Sequence, residues 1–164
     1  MKEQLLDTWA IHQRMNILLI NNTSDDGMQK TLSIRSRIIF QQWIHIHNVR
    51  MHWLEICAKD IFLKYTVLNK DMPVDKKILL KALEESTEGI SLLINRSWDD
   101  GGKARPDEHE PPGRVKGFKK GLIPLLGYFI SHESHHRGNM LLTLKQSGEE
   151  IPDAVKWGLW EWGK

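Results

Sequence analysis

The apolar residues of this chain recur every three or four positions over long segments, and this spacing constrains the fold more than any other feature. In one segment they fall at Ile39, Trp43, Ile46, Val49, Trp53 and Cys57. Such spacing places apolar side chains along one face of an α-helix. Because no segment alternates with a period of two over a convincing length, the sequence predicts an all-α protein.

Four long segments carry this helical pattern. They span about residues 3–21, 33–63, 75–98 and 118–146, and Asp75 is the predicted cap of the third. A run of Gly, Pro and charged residues at 99–113 predicts a long loop before the fourth.

A short fifth helix is predicted after Pro152, and it carries Trp157, Trp160 and Trp162. The seven tryptophans of the chain are expected to pack in the core and beneath this tail. The four long helices and their connections predict a four-helix bundle with a short C-terminal helix, and an irregular all-α domain is the alternative.

Composition narrows the classes of function. The 164 residues, 40% of them hydrophobic and 27% charged, suit a single domain over 1–164 with a substantial core. The net charge is only +2 and the basic residues are scattered, so no nucleic-acid partner is expected. No apolar run approaches the ~20 residues of a membrane span, and no signal peptide is evident. The single cysteine, Cys57, excludes an internal disulfide and fits the cytoplasm.

The stretch from His132 to His136 holds three histidines and Glu133 in five consecutive residues. Residues four apart lie on one face of a helix, so His132 and His136 project to the same side and could share one metal ion. Two ligands make a poor site, and the third must come from another helix. The second helix offers His45 and His47, and periodicity does not choose between them. His12 is interpreted as a hydrogen-bonded residue of the core or its boundary.

Three metal chemistries compete for these residues. The pattern His-Glu-x-x-His is that of zinc proteases, with Glu133 as general base, but the extended form would need a glycine where Asn139 stands and a histidine where Leu142 stands. A di-iron bundle needs a second Glu-x-x-His motif, and the second helix has none. A single ion held by three histidines leaves positions for water or substrate and is the preferred interpretation. As a Lewis acid it would lower the pKa of a water or a thiol.

The segments "WIHIHNVRMHWLE" and "GFKKGLIPLLGYFISHESHHRGNMLLTLKQSGEEIPDAVKWGLWEW" resemble the second and last helices of the DinB/YfiT-like superfamily. The resemblance spans most of the chain. It implies a four-helix bundle whose divalent ion, most often zinc or nickel, is bound by His45, His132 and His136, with His47 as the fallback. Gly138 is interpreted as allowing a close helix approach, and Glu133 is kept as a candidate catalytic residue.

The resemblance also implies an activity. Characterised members of the superfamily include thiol S-transferases that use low-molecular-weight thiols, and members are often homodimeric. The chain is therefore predicted to be a metal-dependent thiol transferase or hydrolase that acts on a small molecule. The alternative is a non-catalytic metal-binding bundle that serves as a stress-response or interaction module. The pocket is expected near the helix midpoints, flanked by Trp43 or Trp9.

Overall fold

The computed structural model describes residues 1–69, 72–104 and 121–163. These residues form helices and contain no strand. The helices are α1 (Lys2–Asn21), α2 (Asp25–Met28), α3 (Ile39–Cys57), α4 (Lys59–Phe62), α5 (Lys76–Asp99), α6 (Leu122–Gln146) and α7 (Asp153–Gly158). The predicted all-α class is confirmed.

The long helices pack side by side as a helical bundle. Helix α3 packs against α5 and α6, and α1 packs against the same two helices. The short helix α7 packs against α1. This arrangement places the middle of α3 beside the middle of α6, where the histidines of both helices lie.

The second predicted helix, over 33–63, is too long at both ends. Helix α3 begins only at Ile39, since Thr31, Ser33 and Ser36 form a local network in which the Thr31 hydroxyl donates to the Ser33 and Ser36 carbonyls. Such side-chain to backbone bonds compete with helix formation. The helix ends at Cys57 because Ala58 leaves the helical region, with φ −159° and ψ 66°, and the chain then enters α4.

The third and fourth long helices are close to prediction. Asp75 caps α5, as expected, by accepting a hydrogen bond from the Ile78 amide at 2.7 Å. Helix α6 begins at Leu122 and ends at Gln146, and Pro124 lies in its first turn, where no intrahelical bond is lost. The predicted start near residue 118 and most of the predicted loop at 99–113 lie outside the described residues.

Two apolar clusters fill the bundle. One contains Trp9 of α1, Leu54 of α3 and Phe129 of α6. The other contains Leu19, Trp43 and Met140 of the same three helices. Along each helix, buried polar residues stand between the two clusters; they are His12, Gln13, Asn16, His47, Arg50, Glu133 and Arg137. A polar layer therefore crosses the bundle near its middle.

The tryptophans divide between core and surface. Trp9, Trp43 and Trp53 are buried. The tail is anchored instead by Val155, which is fully buried, while Trp157, Trp160 and Trp162 are 70%, 77% and 51% exposed. The expectation that the tail tryptophans pack inside was wrong, since the short helix turns a different side chain inward. Among the described residues, no helix is both long and apolar enough to cross a bilayer.

Candidate metal centre

Three histidines from two helices converge beside the polar layer. One ring nitrogen from each of His45, His132 and His136 can be chosen so that all three lie within 4.8 Å of one another. The ring centroids are 5.3 Å apart for His45 and His132, 5.0 Å for His45 and His136, and 4.7 Å for His132 and His136. The group could hold a divalent metal ion, because nitrogens bound to one zinc at 2.0–2.1 Å lie about 3.4 Å apart in tetrahedral geometry.

The sequence places these side chains by simple helix geometry. His132 and His136 stand one turn apart on α6, so both project from the same face. His45 lies on α3, which packs directly against α6, and it meets the pair across the interface. All three side chains are partly exposed, which would leave a bound ion accessible from solvent.

The protonation state suits metal binding. Burial lowers the pKa of each of the three imidazoles. For His136 the pKa falls to about 4, and the neighbouring rings of His132 and His45 add to the effect of burial. The rings are therefore neutral near pH 7 and carry the lone pairs that a cation requires.

Neighbouring side chains orient two of the rings. The Nδ1 of His136 lies 3.3 Å from the Gln42 Oε1, an acceptor, so this nitrogen carries the proton and Nε2 is left with the free lone pair. Tyr128 stacks on His132 with centroids 5.5 Å apart and planes inclined by 14°. The buried Nδ1 of His132 has no hydrogen-bond partner within the described part of the chain. Three neutral imidazoles, one with its proton held away from the cluster, fit a divalent ion.

The other candidate histidines lie elsewhere. His47 is fully buried and its Nε2 bonds to the Thr66 carbonyl at 2.9 Å, so it faces away from the cluster. His12 is buried and hydrogen-bonded, as interpreted from the sequence. His135 is exposed, and its Nε2 lies 3.0 Å from the Asn139 side-chain nitrogen.

Glu133 points into the bundle interior and is not one of the clustered residues. Its carboxylate, 1% exposed, forms a bidentate pair with the fully buried Arg50, with Nε to Oε1 at 2.7 Å and Nη2 to Oε2 at 2.6 Å. Oε2 also lies 2.8 Å from the His12 Nε2 and accepts a bond from the Asn16 amide at 2.7 Å. Both oxygens are occupied, which favours a structural role for Glu133; its catalytic role stays a prediction.

Electrostatics agree with that geometry. Burial alone would raise the pKa of Glu133, but the charge and hydrogen bonds of Arg50, followed by those of His12, hold the pKa well below its usual range. A carboxylate so stabilised is a weak base at neutral pH.

The sequence did not reveal that Arg50 is the partner of Glu133. A signal existed, because Arg50 falls between Ile46 and Leu54 on the apolar face of α3, where an arginine requires a buried counter-charge. The same ion pair anchors α1, since Arg50 donates to the Gln13 Oε1 at 3.0 Å and its guanidinium carbon lies 4.7 Å from the centroid of the Trp9 ring.

Comparison with known proteins shows the family of this chain. The sequence profile of the DinB family matches residues 1–160. The chain belongs to the DinB family. The chain is also similar to "Uncharacterized protein YrdA" of Bacillus subtilis (strain 168), at 20% identity in an alignment that covers 99% of this chain and 92% of that protein. No solved structure matches the chain significantly.

In this DinB-family bundle a cavity of about 590 Å³ reaches the histidine cluster at His136. Its walls include Arg35 and Arg37 of the segment before α3, Gln42 of α3, and His136, Asn139 and Thr143 of α6. The volume is in the range of small-molecule sites. The tryptophans expected to flank the pocket, Trp9 and Trp43, are fully buried and do not line this cavity.

Proposed function

We propose that this DinB-family protein is a metal-dependent enzyme, a thiol S-transferase or hydrolase, that holds a divalent ion with His45, His132 and His136. Zinc or nickel is the proposed ion, since neutral imidazoles suit both. The observation that carries the proposal is the convergence of three imidazole nitrogens within 4.8 Å beside a cavity that a small molecule could enter.

The side chains of the chain would divide the work. The three histidines bind, Gln42 orients His136 by accepting its Nδ1 proton, and Tyr128 fixes the plane of His132 by stacking. A divalent ion held there supplies Lewis-acid chemistry that favours the ionised form of a thiol or of water. Three protein ligands leave a further coordination position, as catalytic sites require.

The setting of the proposed reaction follows from the same chemistry. A low-molecular-weight thiol as co-substrate suits a reducing cytoplasm, where the Cys57 thiol would also remain reduced. A small-molecule electrophile would be the second substrate. We propose a homodimer as the functional assembly; sedimentation velocity at several protein concentrations would show a monomer instead if that is wrong.

Metal content tests whether the protein binds a divalent ion as proposed. The protein is purified without a histidine tag and its metals are measured by mass spectrometry. We expect close to one divalent ion per chain, lost in His45→Ala, His132→Ala and His136→Ala. His135→Ala is the matched control, since this exposed neighbour lies outside the cluster. Unchanged metal content in both α6 variants of the cluster would overturn the proposal.

A second candidate is a metal-binding bundle without catalysis. It is favoured by the state of the Glu133 carboxylate, the candidate catalytic group. This carboxylate is occupied by hydrogen bonds with Arg50, His12 and Asn16. The discriminating experiment offers the metal-loaded protein a panel of thiols with aryl halide and epoxide electrophiles, and activated esters for hydrolysis. Turnover that disappears in His132→Ala supports the enzyme. Stoichiometric metal without turnover of any pair supports the non-catalytic bundle.

A further inference from the structure

The cavity beside His136 has a marked charge asymmetry. Two arginines, Arg35 and Arg37, line it, and no aspartate or glutamate does among the described residues. Both arginines are exposed, and within the described part of the chain neither guanidinium forms a hydrogen bond or an ion pair. Two cations that share a cavity with no counter-charge favour an anionic occupant.

The remaining walls add neutral polar groups. Gln42 from the first turn of α3 and Asn139 and Thr143 from α6 line the cavity. Amide and hydroxyl groups of this kind can complete the hydrogen bonding of a carboxylate or phosphate without adding negative charge. The cavity thus combines a cationic wall with polar groups that fix orientation, as small-molecule sites commonly do.

The arginines and the histidine cluster share this cavity. Arg35, Arg37 and His136 all line it, so a ligand held there lies near both the guanidinium groups and the cluster. One molecule could place a donor atom at the histidines and an anionic group near the arginines.

We propose that Arg35 and Arg37 select substrates that carry a carboxylate or phosphate group, so that the molecule delivered to the three-histidine cluster is an anion. The identity of the cluster as a metal site rests on the function proposed above, but the anion preference of the cavity does not. The arginines bind and orient the substrate and take no part in bond making.

The first experiment needs no metal. The metal-free protein is titrated with succinate and, separately, with inorganic phosphate, and amide chemical shifts are followed by NMR. We expect saturable shifts at Gln42, Asn139 and Thr143. The affinity obtained from them should fall by about tenfold or more in Arg35→Gln/Arg37→Gln, the scale of two charge-assisted contacts. Whichever anion binds more tightly identifies the group that the cavity prefers.

The matched control is Lys59→Gln/Lys81→Gln. It removes the same net charge from exposed positions on α4 and α5 that do not line the cavity. If this control weakens binding as much as the arginine variant, the effect is one of overall charge and the proposal is overturned. Absence of saturable shifts with either anion in the unmodified protein would overturn it as well.

The second experiment links the cavity to the cluster. The cobalt-loaded protein is titrated with mercaptosuccinate and with mercaptoethanol, and the visible absorption of the metal is followed. We expect mercaptosuccinate to bind about 5–10-fold more tightly, and the preference to vanish in Arg35→Gln/Arg37→Gln. Failure to load cobalt would count against the proposed function and leave the anion titration to decide this inference. Cobalt loading with equal affinity for both thiols would refute the link between cavity and cluster.

Discussion

The Arg50 guanidinium and the Glu133 carboxylate meet as a bidentate pair inside the bundle, with nitrogen–oxygen distances of 2.7 and 2.6 Å. Glu133 directly follows His132 in the sequence, yet the two side chains point into different surroundings. Successive residues on a helix point about 100° apart, so α6 presents a histidine to the cluster and a glutamate to the core. The position of the histidine pair is therefore tied to the polar layer.

Breaking this pair should destabilise the fold. Glu133→Gln leaves the Arg50 charge buried and uncompensated, and we expect a loss of about 3–5 kcal/mol in the free energy of unfolding, measured by urea denaturation. Asp60→Asn is the control, since the Asp60–Arg96 pair is also bidentate but has side chains 63% and 48% exposed, and its loss should cost about 0–1 kcal/mol. Equal effects of the two variants would contradict the structural role of Glu133.

The lowered pKa of His136 predicts how stability depends on pH in the metal-free protein. Between pH 6.5 and about 4 the unfolded chain binds a proton at this position and the folded chain does not. Stability from this group is thus complete above pH 6.5 and is lost as the pH falls towards 4. Because the ring is partly exposed, we expect a change of only about 1 kcal/mol.

Urea denaturation in EDTA at several pH values measures that change. We expect His136→Ala to have a flatter profile than the unmodified protein over this window. A His136→Ala profile parallel to that of the unmodified protein would mean that His136 has the same pKa in the folded and unfolded states.

The tail tryptophans should contribute little to stability. Trp160 is 77% exposed, so Trp160→Ala should change the free energy of unfolding by no more than about 0.5 kcal/mol. Trp43 is fully buried, and Trp43→Ala should cost about 3–5 kcal/mol. Thermal unfolding followed by circular dichroism compares the two variants. A large loss in Trp160→Ala would show that the tail is packed against a surface in solution, such as a second subunit.

Two helical glycines should respond in opposite directions to replacement by alanine. At Gly89 of α5 a Cβ would lie 2.7 Å from the Leu54 Cδ1, and we expect Gly89→Ala to destabilise by about 1–3 kcal/mol. At the exposed Gly138 of α6 a Cβ meets no described atom within 4 Å, so the close approach expected there from the sequence was wrong. Gly138→Ala should stabilise by about 0.5–1 kcal/mol through helix propensity. Urea denaturation of both variants measures the two effects. Midpoints that shift in the same direction would contradict this prediction.

Periodicity predicted much of this fold, because apolar spacing reports directly on helical faces. It located the long helices, while the capping residue type of Asp75 marked the start of α5. It failed at 33–38, where hydroxyl hydrogen bonds delay the start of α3, and at Ala58, where a single backbone rotation ends the helix. Neither place has a glycine or proline to signal the break.

The site was predictable only in part. The one-turn spacing of His132 and His136 follows from helix geometry, but the choice of His45 over His47 depends on which arc of α3 faces α6. Arg35 and Arg37 were missed because they lie in an irregular segment, where no period relates residue number to direction. Contacts between helices and loops determine where such side chains lie, and these contacts cannot be read from a single sequence.

The exposed indoles of α7 and the residues after it affect how this protein can be studied by fluorescence. Trp157, Trp160 and Trp162 stand in water, while Trp9 and Trp43 lie in an apolar interior. The emission of the native protein is therefore a sum of red-shifted and blue-shifted components, and unfolding changes only the second. Replacing the three outer indoles with phenylalanine would leave Trp9, Trp43, Trp53 and the half-buried Trp98, so that the emission reports mainly on the interior.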